Sequence, residues 1–159
     1  MYKINPKDIK GKIEFKNVNF SCSTKPNPII LKDLNFVIET CQHILFIGNG
    51  KNTIIELLER FYDIEDGNGE ILIDDINIKE FNLYKLRRKI GLINKNTSIF
   101  KRSLLDNIRY GKLYDTLEDC EKAAKEANIK LDKKEGEISK KEKLSIDISR
   151  NFLKNNFNR

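Results

Sequence analysis

Ile44-Leu45-Phe46-Ile47-Gly48-Asn49-Gly50-Lys51-Asn52-Thr53 is the stretch that decides the fold class of this 159-residue chain. The unbroken apolar run Ile44 to Ile47 suits a buried parallel strand. It ends in a glycine loop. Beyond the loop, Ile54, Ile55, Leu57, Leu58 and Phe61 recur at helical spacing, so Thr53 to Phe61 is expected to be an amphipathic helix. Strand, glycine loop, helix is the order of a phosphate-binding loop. That loop cradles phosphate with inward backbone N–H groups, adds a lysine to its oxygens and offers a hydroxyl to magnesium, which requires G-x-x-x-x-G-K-[ST]. Here only two residues separate Gly48 from Lys51, where the motif has five. Three missing residues remove on the order of 10 Å of backbone. Asn52 stands where the motif has Ser or Thr. Two readings stay open: a phosphate site, or a tight Gly-Asn-Gly turn that needs no ligand.

Working outward, Ile13 and Phe15 alternate with charged neighbours and continue into Val18 and Phe20, a strand pattern. Pro26 and Pro28 mark a loop from Ser23 to Pro28. Ile29 to Ile38 is a second strand with a bend near Asp33. Downstream, Asp66 to Gly69 is a turn, Glu70 to Asp74 a strand, and Phe81 to Arg88 a short helix with Phe81, Tyr84 and Leu86 facing inward. Ile90 to Ile93 is a further short strand. Ser103 to Arg109 is helical with Leu104, Leu105 and Ile108 on one face. Thr116 to Asn128 is a clearer helix, with Thr116 as cap and Asp119 at the capping-box position. The charged stretch Lys130 to Lys143 leads to a last helix carrying Leu144, Ile146, Ile148 and Phe152.

Composition bounds the function. Hydrophobic residues make up 39% and charged residues 34%, with 30 basic and 24 acidic side chains and a net charge of +6. Acids and bases are interspersed, so Lys85-Leu86-Arg87-Arg88-Lys89 is the wet face of a helix before it is a nucleic-acid patch, and no nucleic-acid partner is expected. Cys22, Cys41 and Cys120 form no CxxC pair. With His43 the single histidine, zinc is disfavoured. Cys22 and Cys41 are expected as half-buried fillers. The apolar runs fall far short of the roughly 20 residues that cross a bilayer, so a soluble chain is expected. Asp63 to Gly67 has the wrong spacing for a calcium loop.

The surrounding pieces resemble one family. Gly11-Lys12-Ile13-Glu14-Phe15-Lys16-Asn17-Val18-Asn19-Phe20-Ser21 looks like the opening strand of the nucleotide-binding domains of ABC exporters of the multidrug type (B subfamily). Ile30 to Phe36 resembles the next strand. Leu57-Leu58-Glu59-Arg60-Phe61-Tyr62-Asp63 and Gly69-Glu70-Ile71-Leu72-Ile73-Asp74 look like the segment after the family's Walker A helix. Leu86 to Gly91, Ile99-Phe100 and Asp106-Asn107-Ile108-Arg109-Tyr110-Gly111 are similar to the surroundings of its Q-loop. Lys122 to Asn128 resembles the start of its helical subdomain. The likeness runs from about Gly11 to Asn128 and returns faintly from Gly136 to Asn155.

The resemblance implies an α/β fold: a partial P-loop (RecA-like) core with an N-terminal antiparallel β-subdomain and a stub of the helical subdomain. Residues 1–10 are then an extension and 11–159 one incomplete domain, with 11–100 as β-subdomain and partial core and 101–159 as helical remnant. It implies ATP and Mg²⁺ as cofactors, bound by Gly48, Asn49, Gly50, Lys51, Asn52 and Thr53, with Asn52 toward the metal. It also implies a transmembrane domain and a second nucleotide-binding domain as partners, at the cytosolic face of a membrane. The family's chemistry is altered. Cys22 matches the position of the aromatic residue that stacks on adenine. Lys95 matches the Q-loop glutamine and cannot accept a hydrogen bond. Ile138-Ser139-Lys140-Lys141-Glu142 is the counterpart of the signature L-S-G-G-Q. The Walker B strand is expected beyond Arg159, leaving a core strand without its neighbour and stability marginal. Hydrolysis is therefore expected to be impaired or lost. The alternative is a structural or relic module that binds no nucleotide.

Overall fold

The computed structural model describes residues 4, 9–21, 30–94, 96–130 and 139–155. It is a mixed α/β structure of two compact units, Met1–Ile90 and Gly91–Arg159. The calls on Cys22, on the loop Ser23 to Pro28, on Lys95 and on Ile138 fall outside the described residues.

The first unit is built on an antiparallel sheet. Strands β1 (Ile13–Phe20), β2 (Leu31–Ile38), β3 (Glu70–Ile73) and β4 (Ile76–Asn77) lie in the order β2-β1-β3-β4. Ile13 pairs with Ile38 on one side and with Ile73 on the other. Alternation places Phe15 and Val18 in the core with Ile71 and Ile73, and Phe15 stacks on Phe36 at 4.5 Å between ring centroids. The bend expected near Asp33 is present: Asp33 has φ +45°, Asn17 opposite it +49°, and the β1–β2 register shifts there. Crossed side-chain bonds hold the irregularity, since Asn17 N–H donates to Asn35 Oδ1 (2.8 Å) and Asp33 N–H to Asn19 Oδ1 (3.0 Å).

Asp74 and Asp75 form the two-residue turn between β3 and β4, both at positive φ, as a twisted hairpin requires. The Asp74 carboxylate accepts the Lys10, Gly11 and Lys12 amides at 2.6, 3.0 and 3.0 Å, which ties the entry of β1 to that hairpin.

Helix α1 (Lys51–Leu58) buries Ile54 and Leu57 against the sheet's core. It begins two residues before its expected start and stops at Leu58. Arg60 takes a left-handed conformation (φ +51°), and Phe61 N–H returns to Glu56 O at 2.8 Å, which closes the helix end. Helix α2 (Leu83–Lys89) follows a 3₁₀ turn at Ile78–Glu80 and is capped by Asn82. Phe81 and Leu86 are buried as expected. Tyr84 is exposed: it lies two residues from Leu86, on another side of a 3.6-residue turn.

Two expected strands are corrected. Ile44 to Ile47 is not a strand, and no hydrogen bond to residues 43–47 occurs among the described residues. A buried parallel strand needs neighbours that take its backbone groups. The described strands pair only antiparallel within their own sheet. Leu45 and Ile47 are accordingly exposed, and only Phe46 of the run packs on the core. Ile90 to Ile93 is not a strand either. Side chains from the last helix take its backbone groups: Asn151 Nδ2 donates to Leu92 O, and Asn94 N–H donates to Asp147 Oδ2.

The second unit is helical. α3 (Leu104–Arg109), α4 (Leu117–Glu126) and α5 (Lys140–Asn155) enclose Ile108, Cys120, Ala123, Ala124, Ile146 and Leu153. The alanines of α4 let its neighbours approach closely. Leu104, Leu105 and Ile108 face this core as expected. The capping box of α4 is present, with Thr116 Oγ1 donating to Asp119 Oδ2 at 2.6 Å. Cys120 is buried and Cys41 is exposed, against the half-buried position expected for the latter, because its positive-φ turn stands clear of the core.

Candidate functional site: the glycine loop and the first turn of α1

Gly48 and Gly50 have φ of +110° and +83°, the region a residue with a β-carbon avoids. A β-carbon on Gly48 would meet nothing within 4 Å. One on Gly50 would lie 2.9 Å from Leu31 Cδ2 and 3.4 Å from Ile30 O. Gly50 is therefore fixed by packing against the start of β2 as well as by its dihedral. It is also the N-cap of α1, and no side chain caps the helix. The first intrahelical bond runs from Ile54 N–H to Gly50 O (3.2 Å). The Lys51, Asn52 and Thr53 amides thus open the helix without an intrahelical acceptor. No acid stands in the first turn, so the positive end of the helix dipole is not offset there.

The six candidate residues consequently share one short turn. Gly48, Asn49, Lys51 and Asn52 are exposed, Gly50 is half-buried, and Thr53 is buried. The donor set of three amides and the Lys51 ammonium suits an anion such as one phosphate group. The four residues from Gly48 to Lys51 are too few to ring it. The set does not suit magnesium. Asn52 offers a single neutral amide oxygen, whereas magnesium is held through one or two carboxylates along with phosphate and water. No cluster of three or more His, Cys, Asp or Glu side chains fit to hold a metal occurs among the described residues. Thr53, the nearest hydroxyl in sequence, stands one position late and is turned into the protein.

The signature counterpart has a different geometry. Ser139 caps α5. Its amide and its hydroxyl both donate to Glu142 Oε2, at 2.8 and 2.7 Å, while Glu142 N–H donates to Ser139 Oγ at 3.3 Å. This is a reciprocal capping box. The first polar groups of α5 are satisfied from within the chain.

Sequence reading missed the residues that hold the frame. Arg60 bonds Asp63 through Nε and Nη2 (2.8 and 3.0 Å) and reaches Ile78 O and Phe81 O through Nη1. Arg87 donates to Glu59 O and Arg60 O at 2.8 and 2.9 Å, satisfying carbonyls at the end of α1. In the second unit the buried Asn107 exchanges bonds with both backbone groups of Phe100, and Arg150 donates to Asn107 O at 2.7 Å. Gly111 lies so near Arg150 that a β-carbon would sit 2.5 Å from its carbonyl oxygen. Burial lowers the pKa of the Arg150 guanidinium from its ordinary value, and Asp147 opposes the shift. Arg60, Arg87, Asn107 and Gly111 all belong to segments that carry the resemblance, which was the available signal.

Residues 31–156 match the ABC transporter family. The chain belongs to that family. Its relatives include ABC transporter B family member 3 of Dictyostelium discoideum, 44% identical over 128 residues, which are 79% of this chain and 9% of that protein. ABC transporter B family member 21 of Arabidopsis thaliana is 41% identical over 76% of this chain and 9% of its own length. ATP-binding cassette sub-family B member 5 of Homo sapiens is 37% identical over 77% and 10%. The B-family resemblance read from the sequence is thus borne out. The chain spans about a tenth of the length of these curated relatives. No helix of the described residues is long and apolar enough to cross a membrane.

Proposed function

We propose that this ABC-family chain is the ATP-binding segment of a multidrug-type exporter, a partial RecA-like core with a remnant of the helical subdomain, in which hydrolysis is impaired. One observation carries the reading: a glycine loop opens directly onto the uncapped, acid-free first turn of α1, with Lys51 at its first position. Lys51 and the amides of Lys51, Asn52 and Thr53 would take the outer phosphate oxygens of ATP. Magnesium, which supplies charge neutralisation in phosphoryl transfer, would have to arrive on the triphosphate's own oxygens, since Asn52 makes a poor protein ligand.

The impairment follows from residue chemistry. Phosphoryl transfer depends on positioning and charge stabilisation. The loop from Gly48 to Lys51 is short, Lys95 cannot accept a bond from an attacking water, and the α5 terminus is occupied by Glu142. The partners proposed are a transmembrane domain and a second nucleotide-binding domain, with the chain at the cytosolic face of a membrane. The exposed run of Tyr110, Leu113, Tyr114 and Leu117 supports a covered surface in the assembled protein. The second reading, a structural module without nucleotide, is favoured by the same short loop.

A titration with fluorescent ATP, with and without Mg²⁺, separates the two. Saturable binding lost in Lys51→Ala and little changed by Mg²⁺ supports ATP contact. Absence of saturable binding supports the structural module.

A further inference from the structure

The segment Ile44–Ile47 is extended and alternates. Phe46 points inward and packs against Phe36, with ring centroids 5.3 Å apart and tilted by 59°. Leu45 and Ile47, on either side of it, are 80% and 86% exposed, and Ile44 is 40% exposed. The chain's own core therefore accounts for Phe46 and leaves two large aliphatic side chains in water. The backbone of this segment takes part in no hydrogen bond among the described residues. An extended, apolar, unpaired backbone flanked by Gly48, with no charge between His43 and Gly50, has the properties of an open strand edge.

We propose that this segment is an interaction surface and that its occupant is the same segment of a second copy, paired antiparallel about a two-fold axis at Phe46. Self-complementarity selects this occupant. In that register Leu45 of each copy lies opposite Ile47 of the other, Phe46 opposite Phe46, and Ile44 opposite Gly48. Every position meets an uncharged partner, and Leu45 and Ile47 fall on the same face in both copies. A register one residue away would set Leu45 across from Phe46, whose side chain is directed inward. The contact is isologous, so it closes as a dimer. A patch of three exposed side chains falls well short of the about 1,200–2,000 Å² that stable interfaces bury, so the association is weak and concentration-dependent. This inference is independent of nucleotide binding.

Sedimentation equilibrium of the full chain, from about 1 to about 200 μM, tests it. The expected result is a mass rising from monomer toward dimer. Leu45→Lys alone and Ile47→Glu alone, both at exposed positions, are each expected to weaken association at least about tenfold, with an unchanged circular dichroism spectrum. The double variant Leu45→Lys/Ile47→Glu sets opposite charges across from each other in the proposed register and is expected to recover association. Tyr114→Lys, an exposed position in the other unit, is expected to change nothing. A chain that stays monomeric throughout, single variants that associate like the parent, or a double variant that fails to recover would each overturn the proposal.

Discussion

At its first turn α1 leaves the Lys51, Asn52 and Thr53 amides without a side-chain acceptor, whereas α5 gives the Ser139 amide and hydroxyl to the carboxylate of Glu142. Both turns match places where the ABC family meets phosphate. The two ends have therefore diverged. One keeps its donors open to an external anion. The other has spent them on an internal one and become an ordinary helix cap. Motif letters alone hide this difference, because Lys51 and Ser139 both survive as residues. What differs is whether the backbone groups beside them still lack a partner.

Several substitutions sharpen or break that contrast. The largest effects belong to the helix stems. Leu57→Ala in α1 and Ile146→Ala in α5, both fully buried, are each expected to destabilise by about 2–5 kcal/mol in urea unfolding. Similar losses would show that the helices are equally anchored and differ only at their ends. Next is Gly50→Ala, which forces a β-carbon into φ +83° and should destabilise by about 1–2 kcal/mol. No measurable change would mean that the loop before α1 relaxes freely. Ser139→Ala removes the cap of α5 and should lower the unfolding free energy by about 1 kcal/mol. Lys51→Ala, at an exposed position where no side chain caps, should stay within about 0.5 kcal/mol of the parent. Equal losses in these two variants would erase the contrast.

The smallest effect concerns α4, whose closed cap resembles that of α5. Hydrogen bonds from Thr116 hold the Asp119 carboxyl below its ordinary pKa of 3.8. A depressed folded value means that the stabilisation is fully present above the unfolded pKa and is lost as pH falls through the folded one. The stability difference between the parent and Asp119→Asn should therefore be constant near neutrality and shrink as pH falls below about 3.8. A difference that grows on acidification would contradict the capping geometry.

The contrast also explains what was legible in the sequence. The capping box at Thr116, the alternation through Ile13 and Phe20 and the bend at Asp33 are local signals, and each was found where expected. The strand at Ile44–Ile47 failed because four apolar residues specify burial only when another strand takes their amides, and local pattern carries no information about that neighbour. Ile90–Ile93 failed for a related reason: Asp147 and Asn151, more than fifty residues away, occupy its backbone groups. In the candidate site the residue types and the shortened spacing were readable. The open first turn of α1 and the closed turn at Ser139 were not, since a cap is defined by where a carboxylate points.

The account turns on a phosphate-facing end that persists without the groups that cut the triphosphate. Steady-state release of inorganic phosphate from Mg²⁺–ATP, measured on the purified chain beside Lys51→Ala, tests this most directly. The predicted result is background release that is the same for both proteins. Turnover by the parent chain that disappears in Lys51→Ala would contradict it.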